Sequence, residues 1–372
     1  MITIKEIKDK GGLKRFIALS FRIYKEDKDW VPPLKKDMLN TLLGKDNALF
    51  MSGEHSFFIA YRNKRAVGRI LVGINENLNK QKEAADGYFS LFECMEDEEA
   101  AFALLDKASE WLKERGKTVM KGPVSPTNGD DYRGLLVEGF NGPPVLMNSY
   151  NPEYYVKFFE KYGFEKHLDL FAYYFDVDCA RMDRYNKVAN YAMEKYKFQI
   201  DTINLKNIDS EMEDIKQILD VAMPEEWEDL APPTLEEIRA EGAQLVPLAD
   251  ERLVLIARSE GRPIAFAIAL PNYNEVLKKM NGSLFPFGFL KYLYYKKKIK
   301  GFRMFILFVI PEFRKKAVSG AMFAKYFENG LKGGYTYAEG STIGETNKEM
   351  RTDIEKTGGI RYRTYRLFKK EL

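Results

Sequence analysis

At 372 residues the chain exceeds one ordinary domain and suggests about two. Its 58 Lys+Arg against 55 Asp+Glu leave +3, no footing for a nucleic-acid partner, and Cys94 and Cys179 form neither a disulfide framework nor a ligand spacing. The opening MITIKEIKDKGG has no apolar h-region, and the longest strongly apolar run, Met304 to Ile310, cannot span a bilayer, so the expectation is a cytoplasmic protein.

In chain order, Ile2, Ile4 and Ile7 predict an opening strand and Leu13–Tyr24 a helix, which Pro32-Pro33 forbid from continuing. Phe57–Asn75 holds two apolar runs around Asn63-Lys64-Arg65 and reads as a hairpin. Phe89–Phe92 reads as a strand, and Ala101, Leu104, Leu105, Ala108, Trp111 and Leu112 recur at helical spacing. A strand near Thr118–Met120 follows Gly116, and Gly122–Asn151 has the Gly, Pro and Asn content of loops with short strands. Asn151-Pro152 predicts a helix start, as cap and first-turn proline, and Gly163 its stop.

The second half repeats this plan. Trp30 and Trp227 each precede a Pro-Pro pair, 227 − 30 = 197 residues apart, and Ile59-Ala60 matches Ile256-Ala257 at the same offset. Glu160-Lys161-x-Gly163 matches Glu355-Lys356-x-Gly358, 195 apart, and Gly116 and Gly333 close the two long helices, 217 apart. Two copies of one α/β domain follow, spanning 1–180 and 181–372, with the boundary near Asp178–Asp183.

In the second copy the apolar run ends at Pro311, a cationic turn follows, and a helix begins near Val318. A helix start after such a turn presents free backbone N–H groups to an anion. Val309-Ile310-Pro311-Glu312-Phe313-Arg314 resembles the lead into the acyl-CoA turn of the GNAT acyltransferases. Phe158-Phe159-Glu160-Lys161-Tyr162-Gly163-Phe164 is similar to that family's L-Y-E-K-x-G-F segment, and Asn347 and Gly358 stand where it places an Asn and a Gly. The resemblance covers most of the chain as a tandem pair. It implies two domains, each a mixed, mainly antiparallel twisted sheet flanked by helices.

The resemblance also implies a site. Acetyl-CoA or another acyl-CoA would lie along Phe308 and Val309, with its pyrophosphate at Arg314, Lys315, Lys316, Ala317, Val318, Ser319 and Gly320, and Asn347 nearby. Two departures stand out: Ala317 and Ser319 fill the family's glycine positions, and its tyrosine acid falls at Phe159 and Ile354. In the first copy the turn reads Glu96-Asp97-Glu98-Glu99, whose carboxylates would repel a pyrophosphate, so that copy is expected to be degenerate, on the acceptor side or structural. Glu339, with Tyr337 on the same strand, is the carboxylate to act as general base for an amine, against the bland reading of a solvated strand-end glutamate.

The loop holding Asn128, Asp130, Asp131, Tyr132, Arg133 and Glu138 gathers polar groups that suit an acceptor or a structural insertion. From Val276 to Pro311 there are eight cations, no acids and many aromatics; the segment reads as a pocket wall, a contact for the CoA 3′-phosphate, a membrane-surface contact through 276–303, or a helix-loop packed on the sheet. Gly116-Lys117-Thr118 copies the end of a P-loop, but Trp111 stands where its first glycine belongs, and His55 and His167 give no metal spacing. The leading expectation is an N-acyltransferase, an acetyltransferase first, joining acyl-CoA and a small-molecule or peptide amine, with no metal and no nucleic acid. A non-catalytic ligand-binding protein is the rival, and a double-domain enzyme using charged tRNA a third.

Overall fold

The computed structural model describes residues 1–44, 47–126, 131–178, 182–224, 227, 230 and 232–372. The first half runs β1 (Ile2–Ile7), α1 (Lys10–Ile23), α2 (Lys35–Leu42), α3 (Ala48–Ser52), β2 (His55–Arg62), β3 (Arg65–Gly73), α4 (Glu76–Lys82), β4 (Asp86–Cys94), α5 (Glu98–Lys113), β5 (Val119–Gly122), β6 (Leu135–Glu138), α6 (Tyr154–Tyr162) and β7 (Glu165–Asp176). The second half runs α7 (Met182–Tyr196), β8 (Gln199–Thr202), α8 (Ile208–Ala222), α9 (Leu235–Leu245), β9 (Val254–Ser259), β10 (Arg262–Pro271), α10 (Asn274–Met280), α11 (Gly288–Lys296), β11 (Gly301–Val309), α12 (Val318–Gly333), β12 (Tyr337–Gly344), α13 (Lys348–Lys356) and β13 (Ile360–Glu371).

Two compact units form, but no single cut near residue 180 separates them. The first holds Met1–Phe171, Asn274–Lys297 and Tyr362–Leu372; the second holds Ala172–Tyr273 and Lys298–Arg361. The reason lies in the closing strands. In the first unit the order is β1-β2-β3-β4-β5-β13, with β13 antiparallel to β5 from Phe368↔Gly122 to Glu371↔Val119. In the second it is β7-β12-β11-β10-β9-β8, so each half lends its last strand to the other's sheet.

The hairpins β2–β3 and β9–β10 are antiparallel, whereas β4 with β5 and β11 with β12 are parallel. Their turns use one device twice. Asn63 and Lys64 (φ 49° and 65°) and Glu260 and Gly261 (φ 51° and 82°) all sit at positive φ, which suits the twist of a two-residue hairpin.

Each core is a helix face pressed on its sheet. In the first unit α5 buries Ala101, Leu104, Leu105, Ala108 and Leu112, and the lent strand adds Phe368, 5.3 Å from Phe159. In the second, α12 buries Val318, Ala321, Met322, Phe323 and Phe327, and β7 adds Phe175, 5.6 Å from Phe327. A fully buried phenylalanine stabilises by about 1.5–3 kcal/mol. The exchange is therefore anchored on both sides.

Two local expectations change. Helix α6 begins at Tyr154 behind a Glu153 cap that makes no side-chain bond. Asn151 instead accepts from Leu136 N (2.7 Å) and donates to Leu136 O (3.2 Å), giving buried backbone groups of β6 a partner. The basic aromatic segment of the second half packs on the first unit: Lys35 N donates to Gly282 O (3.2 Å), and Asn274 Nδ2 to Pro144 O (2.9 Å).

Candidate active site

The second unit contains a fork. Strands β11 and β12 pair from Gly301↔Tyr337 to Met304↔Gly340 and then part. The ladder between β10 and β11 slips between Ile268↔Ile306 and Ala269↔Met304, leaving Phe305 as a bulge at the parting point. Beyond it, Ile310 N donates to Ile264 O (2.9 Å). By the alternation of an antiparallel ladder, Leu307 and Val309 then turn their N–H and C=O groups toward the side that β12 has left. All five residues from Phe305 to Val309 are apolar and partly exposed, and Phe308 lies 5.9 Å from Phe266 and 6.0 Å from Trp227. The fork is an apolar trough with backbone donors on one wall.

At the end of β11 the chain turns into α12. Lys315 and Ala317 adopt left-handed conformations (φ 62° and 58°), and Ala317 caps the helix without a side-chain bond. Such a conformation costs a non-glycine residue roughly 1–2 kcal/mol. Among the described residues, the amides of Val318, Ser319 and Gly320 have no acceptor, so three N–H groups and the positive end of the helix dipole face outward together. A Cβ at Gly320 would meet nothing within 4 Å.

The cations of this turn divide their work. Arg314 is tied back, donating to Val309 O (3.3 Å) and Ala222 O (2.8 Å), so it shapes the turn. Lys316 lies 4.3 Å from the Phe313 ring, and Lys315 is exposed, 3.9 Å from Glu349. The Ser319 hydroxyl is directed away, donating to Asp353 Oδ2 (2.5 Å).

A buried polar cluster sits at the apex of the fork. Arg303 and Glu339 are register partners on β11 and β12, and both are essentially inaccessible to water, at 1% and 0% exposure. Ser341, the first β12 residue of that face past the last pair, donates to Glu339 Oε1 (2.5 Å). Arg303 Nε donates to Ser341 Oγ (3.0 Å), and its Nη2 to Ser341 O (3.1 Å). One turn of the pleat away, Tyr337 accepts at its hydroxyl from Asn272 Nδ2 (2.7 Å) and stacks on Tyr174 at 5.8 Å. Glu339 is thus no solvated strand end, because the strand period turns it inward beside a cation.

Arg303 and Ser341 carry no motif that marks them as site residues in the sequence. The signals were a lone arginine inside an apolar strand and a hydroxyl two residues after Glu339, on the same face. Asn347 caps α13, accepting from Met350 N (3.1 Å), and Ile354, at the family's tyrosine position, is core.

The first unit has the same fork without the site. Strands β4 and β5 pair from Asp86↔Val119 to Tyr88↔Lys121, so the residue in Ser341's place, the first past the last pair, is Gly122, which has no hydroxyl. Met95 N donates to Val67 O as Ile310 N does to Ile264 O, but the helix cap follows two residues later, at Asp97, rather than seven later, at Ala317. The turn is five residues shorter, and Asp97 covers its own helix start by accepting from Ala100 N (3.1 Å). Arg62 clamps Asp97 and Glu99 and holds the Asp97 carboxyl below the usual carboxylate range.

Side chains also fill that cleft. Tyr155 Oη accepts from Cys94 N (2.7 Å) and donates to Glu93 (2.8 Å), while Tyr154 donates to Cys94 O (2.8 Å). Burial pushes the Glu93 carboxyl up, against the pull of Arg69. In the loop expected to take an acceptor, Asp131 accepts from Ser125 Oγ (2.5 Å), Tyr132 N donates to Met147 O (2.7 Å), the Arg133 carbonyl accepts from Ser149 Oγ (3.3 Å), and Glu138 accepts from Thr364 Oγ1 (2.6 Å). Asn128 and Asp130 lie outside the described residues.

A bulged strand and a parallel fork occur in both units, with an uncapped helix start in the second alone, and this is the architecture of the tandem GNAT fold. No protein-family model matches the chain. A tandem GNAT protein from the clavulanic acid biosynthesis pathway superposes with a TM-score of 0.60 at 12% identity, over 100% of this chain and 98% of that one. The bacterial ceramide synthase of Caulobacter vibrioides is 31% identical over 386 residues, covering 100% of this chain and 98% of its own length. Protein YghO of Escherichia coli is 30% identical over 382 residues, covering 99% and 95%. The chain belongs to the family of these two proteins and has the tandem GNAT fold.

Proposed function

We propose that the chain is an acyl-CoA-dependent N-acyltransferase that joins a long fatty acyl group to the amine of a long-chain amino alcohol, the bond that defines a ceramide. The apolar trough Phe305–Val309 beyond the β11–β12 fork carries this reading, because it offers an acyl thioester both apolar contact and strand-edge donors. The name of the Caulobacter relative supports the choice of acceptor and moves the expected acyl group from acetyl to a longer chain.

Pantetheine runs past Phe308 and Val309, as in a strand addition. The amides of Val318, Ser319 and Gly320 take the pyrophosphate, with Lys315 and Lys316 adding attraction. Leu307 or Val309 N–H meets the thioester oxygen, where charge develops. The amine nitrogen attacks the carbonyl carbon, the C–N bond forms and the C–S bond breaks. The ammonium proton passes to Ser341 Oγ as that hydroxyl yields its own proton to Glu339. Tyr337, fixed by Asn272 and Tyr174, lines the acceptor side, and water protonates the departing thiolate, since Ile354 carries no acid.

The test is to incubate the chain with palmitoyl-CoA and sphinganine, and separately with acetyl-CoA, and to weigh the amide by mass spectrometry. A palmitoyl amide is expected; an acetyl amide alone would overturn the acyl length, and no amide from either would overturn the activity. The absent tyrosine favours the rival reading, a binding protein, which gains if CoA thioesters bind and no amine is acylated.

A further inference from the structure

Helix α11 is built the wrong way round for a water-soluble surface. Of the thirteen large hydrophobic side chains described as exposed, six lie in ten residues: Phe285, Phe287, Phe289, Leu290, Leu293 and Tyr294. Phe285 and Phe287 are 78% and 68% exposed. On α11, Phe289, Leu290, Leu293 and Tyr294 share one helical face, while Gly288 is the buried side, where a Cβ would come within 2.0 Å of Ser283 O. The apolar face is therefore turned outward by the packing of the helix and is not an accident of length.

The charge along this segment has one sign. Between Val276 and Pro311 there is no Asp or Glu, and seven lysines (Lys278, Lys279, Lys291, Lys296, Lys297, Lys298, Lys300) surround the aromatics. The eighth cation of the segment, Arg303, is buried at the fork and belongs to the site, not to this surface. Lys278 lies 3.8 Å from Asp29, Lys291 Nζ donates to Lys279 O, and Lys296–Lys298 at the end of the helix are exposed.

At nine residues α11 is about 13 Å long, and among the described residues no helix is long and apolar enough to cross a membrane. Its length suits contact along a surface and not a crossing.

We propose that the Phe285–Lys298 surface docks on a bilayer containing anionic phospholipid, aromatics in the headgroup–acyl boundary and lysines among the phosphates. The lysine rim decides the occupant. An apolar partner protein would be served by the rings alone, whereas bulky exposed rings in a segment that carries lysines and no acids match a surface that is apolar beneath and anionic above. This inference is independent of the acyltransferase reading, since docking is measured without turnover.

The full chain is spun down with vesicles of phosphatidylcholine alone and with added phosphatidylglycerol, at rising salt. Binding to the anionic vesicles, weakening as salt rises, is expected. Phe285→Ser with Phe287→Ser and Leu290→Ser should cut the bound fraction at least tenfold, and Lys296→Gln with Lys297→Gln and Lys298→Gln should remove the preference for phosphatidylglycerol. Circular dichroism and melting confirm that both variants stay folded. No binding by the wild type, equal binding by the serine variant, or a wild-type dimer that the serine variant splits, pointing to a second copy as the occupant, would each overturn the proposal.

Discussion

The Ser341 hydroxyl lies 2.5 Å from Glu339 Oε1, and Arg303 Nε lies 3.0 Å from the same hydroxyl, where β11 and β12 part. A carboxylate, a hydroxyl and a cation are thus held in line without access to bulk water. That arrangement suits proton transfer and also stabilises the strand pair, so the two roles need separate tests.

Glu339→Gln keeps the shape and removes the base. It and Ser341→Ala are each expected to lower kcat by about 100-fold or more, with KM for acyl-CoA little changed. The double variant should be no worse than the poorer single one if the two groups act as one relay. Glu339→Ala is expected to unfold the second unit more readily, by about 3–5 kcal/mol, because buried Arg303 loses its register partner. Wild-type kcat in both conservative variants would rule out the relay.

Gly320 separates stability from binding. Its Cβ position is open, so Gly320→Ala should raise the melting temperature, by up to about 1 kcal/mol of helix preference. The same methyl stands among the three free amides and should weaken CoA binding at least tenfold by calorimetry. Unchanged affinity would mean that the phosphates bind elsewhere.

Removing Tyr362–Leu372 tests the strand exchange. The first unit would lose β13, the Phe368 contact and the Arg363 bonds to the carbonyls of Gly139 (3.0 Å) and Asn141 (2.7 Å). Hydrogen exchange should then quicken in β4 and β5 before it does in β11 and β12. The opposite order would mean that each half keeps its own closing strand.

The Asp97 clamp predicts an acid response. Its hydrogen bonds from Arg62 lower the folded carboxyl below its ordinary value, so an unfolded chain takes up that proton at a higher pH than the folded one. The stabilisation is complete above the unfolded value, near pH 4, and is lost as pH falls through the folded one. Arg62→Ala should therefore lower the stability of the first unit at neutral pH, and the gap to wild type, followed by circular dichroism, should close as pH falls through the folded value.

Much of the fold was legible because it rests on local periodicity. The hairpin at Asn63-Lys64, the stripe from Ala101 to Leu112 and the repeat offset of 197 residues are all local or self-similar signals. The carboxylate turn of the first copy was equally plain, since Asp97 and Glu99 declare their charge in sequence. The site was legible only in outline. The turn Arg314–Gly320 and Glu339 could be named, but not that Arg314 is tied back to Ala222, nor that Ser341 joins Glu339 to Arg303.

By itself the sequence determined two α/β copies, one helix start stripped of its acids and one loaded with them, because composition and spacing encode element type and charge directly. Tertiary structure alone decided which sheet each closing strand joined. Phe175 packs 5.6 Å from Phe327 and Phe368 packs 5.3 Å from Phe159, contacts between residues far apart in sequence that no local pattern records. It also decided that the apolar face of α11 points outward. A helical stripe records which residues share a face, not what that face meets.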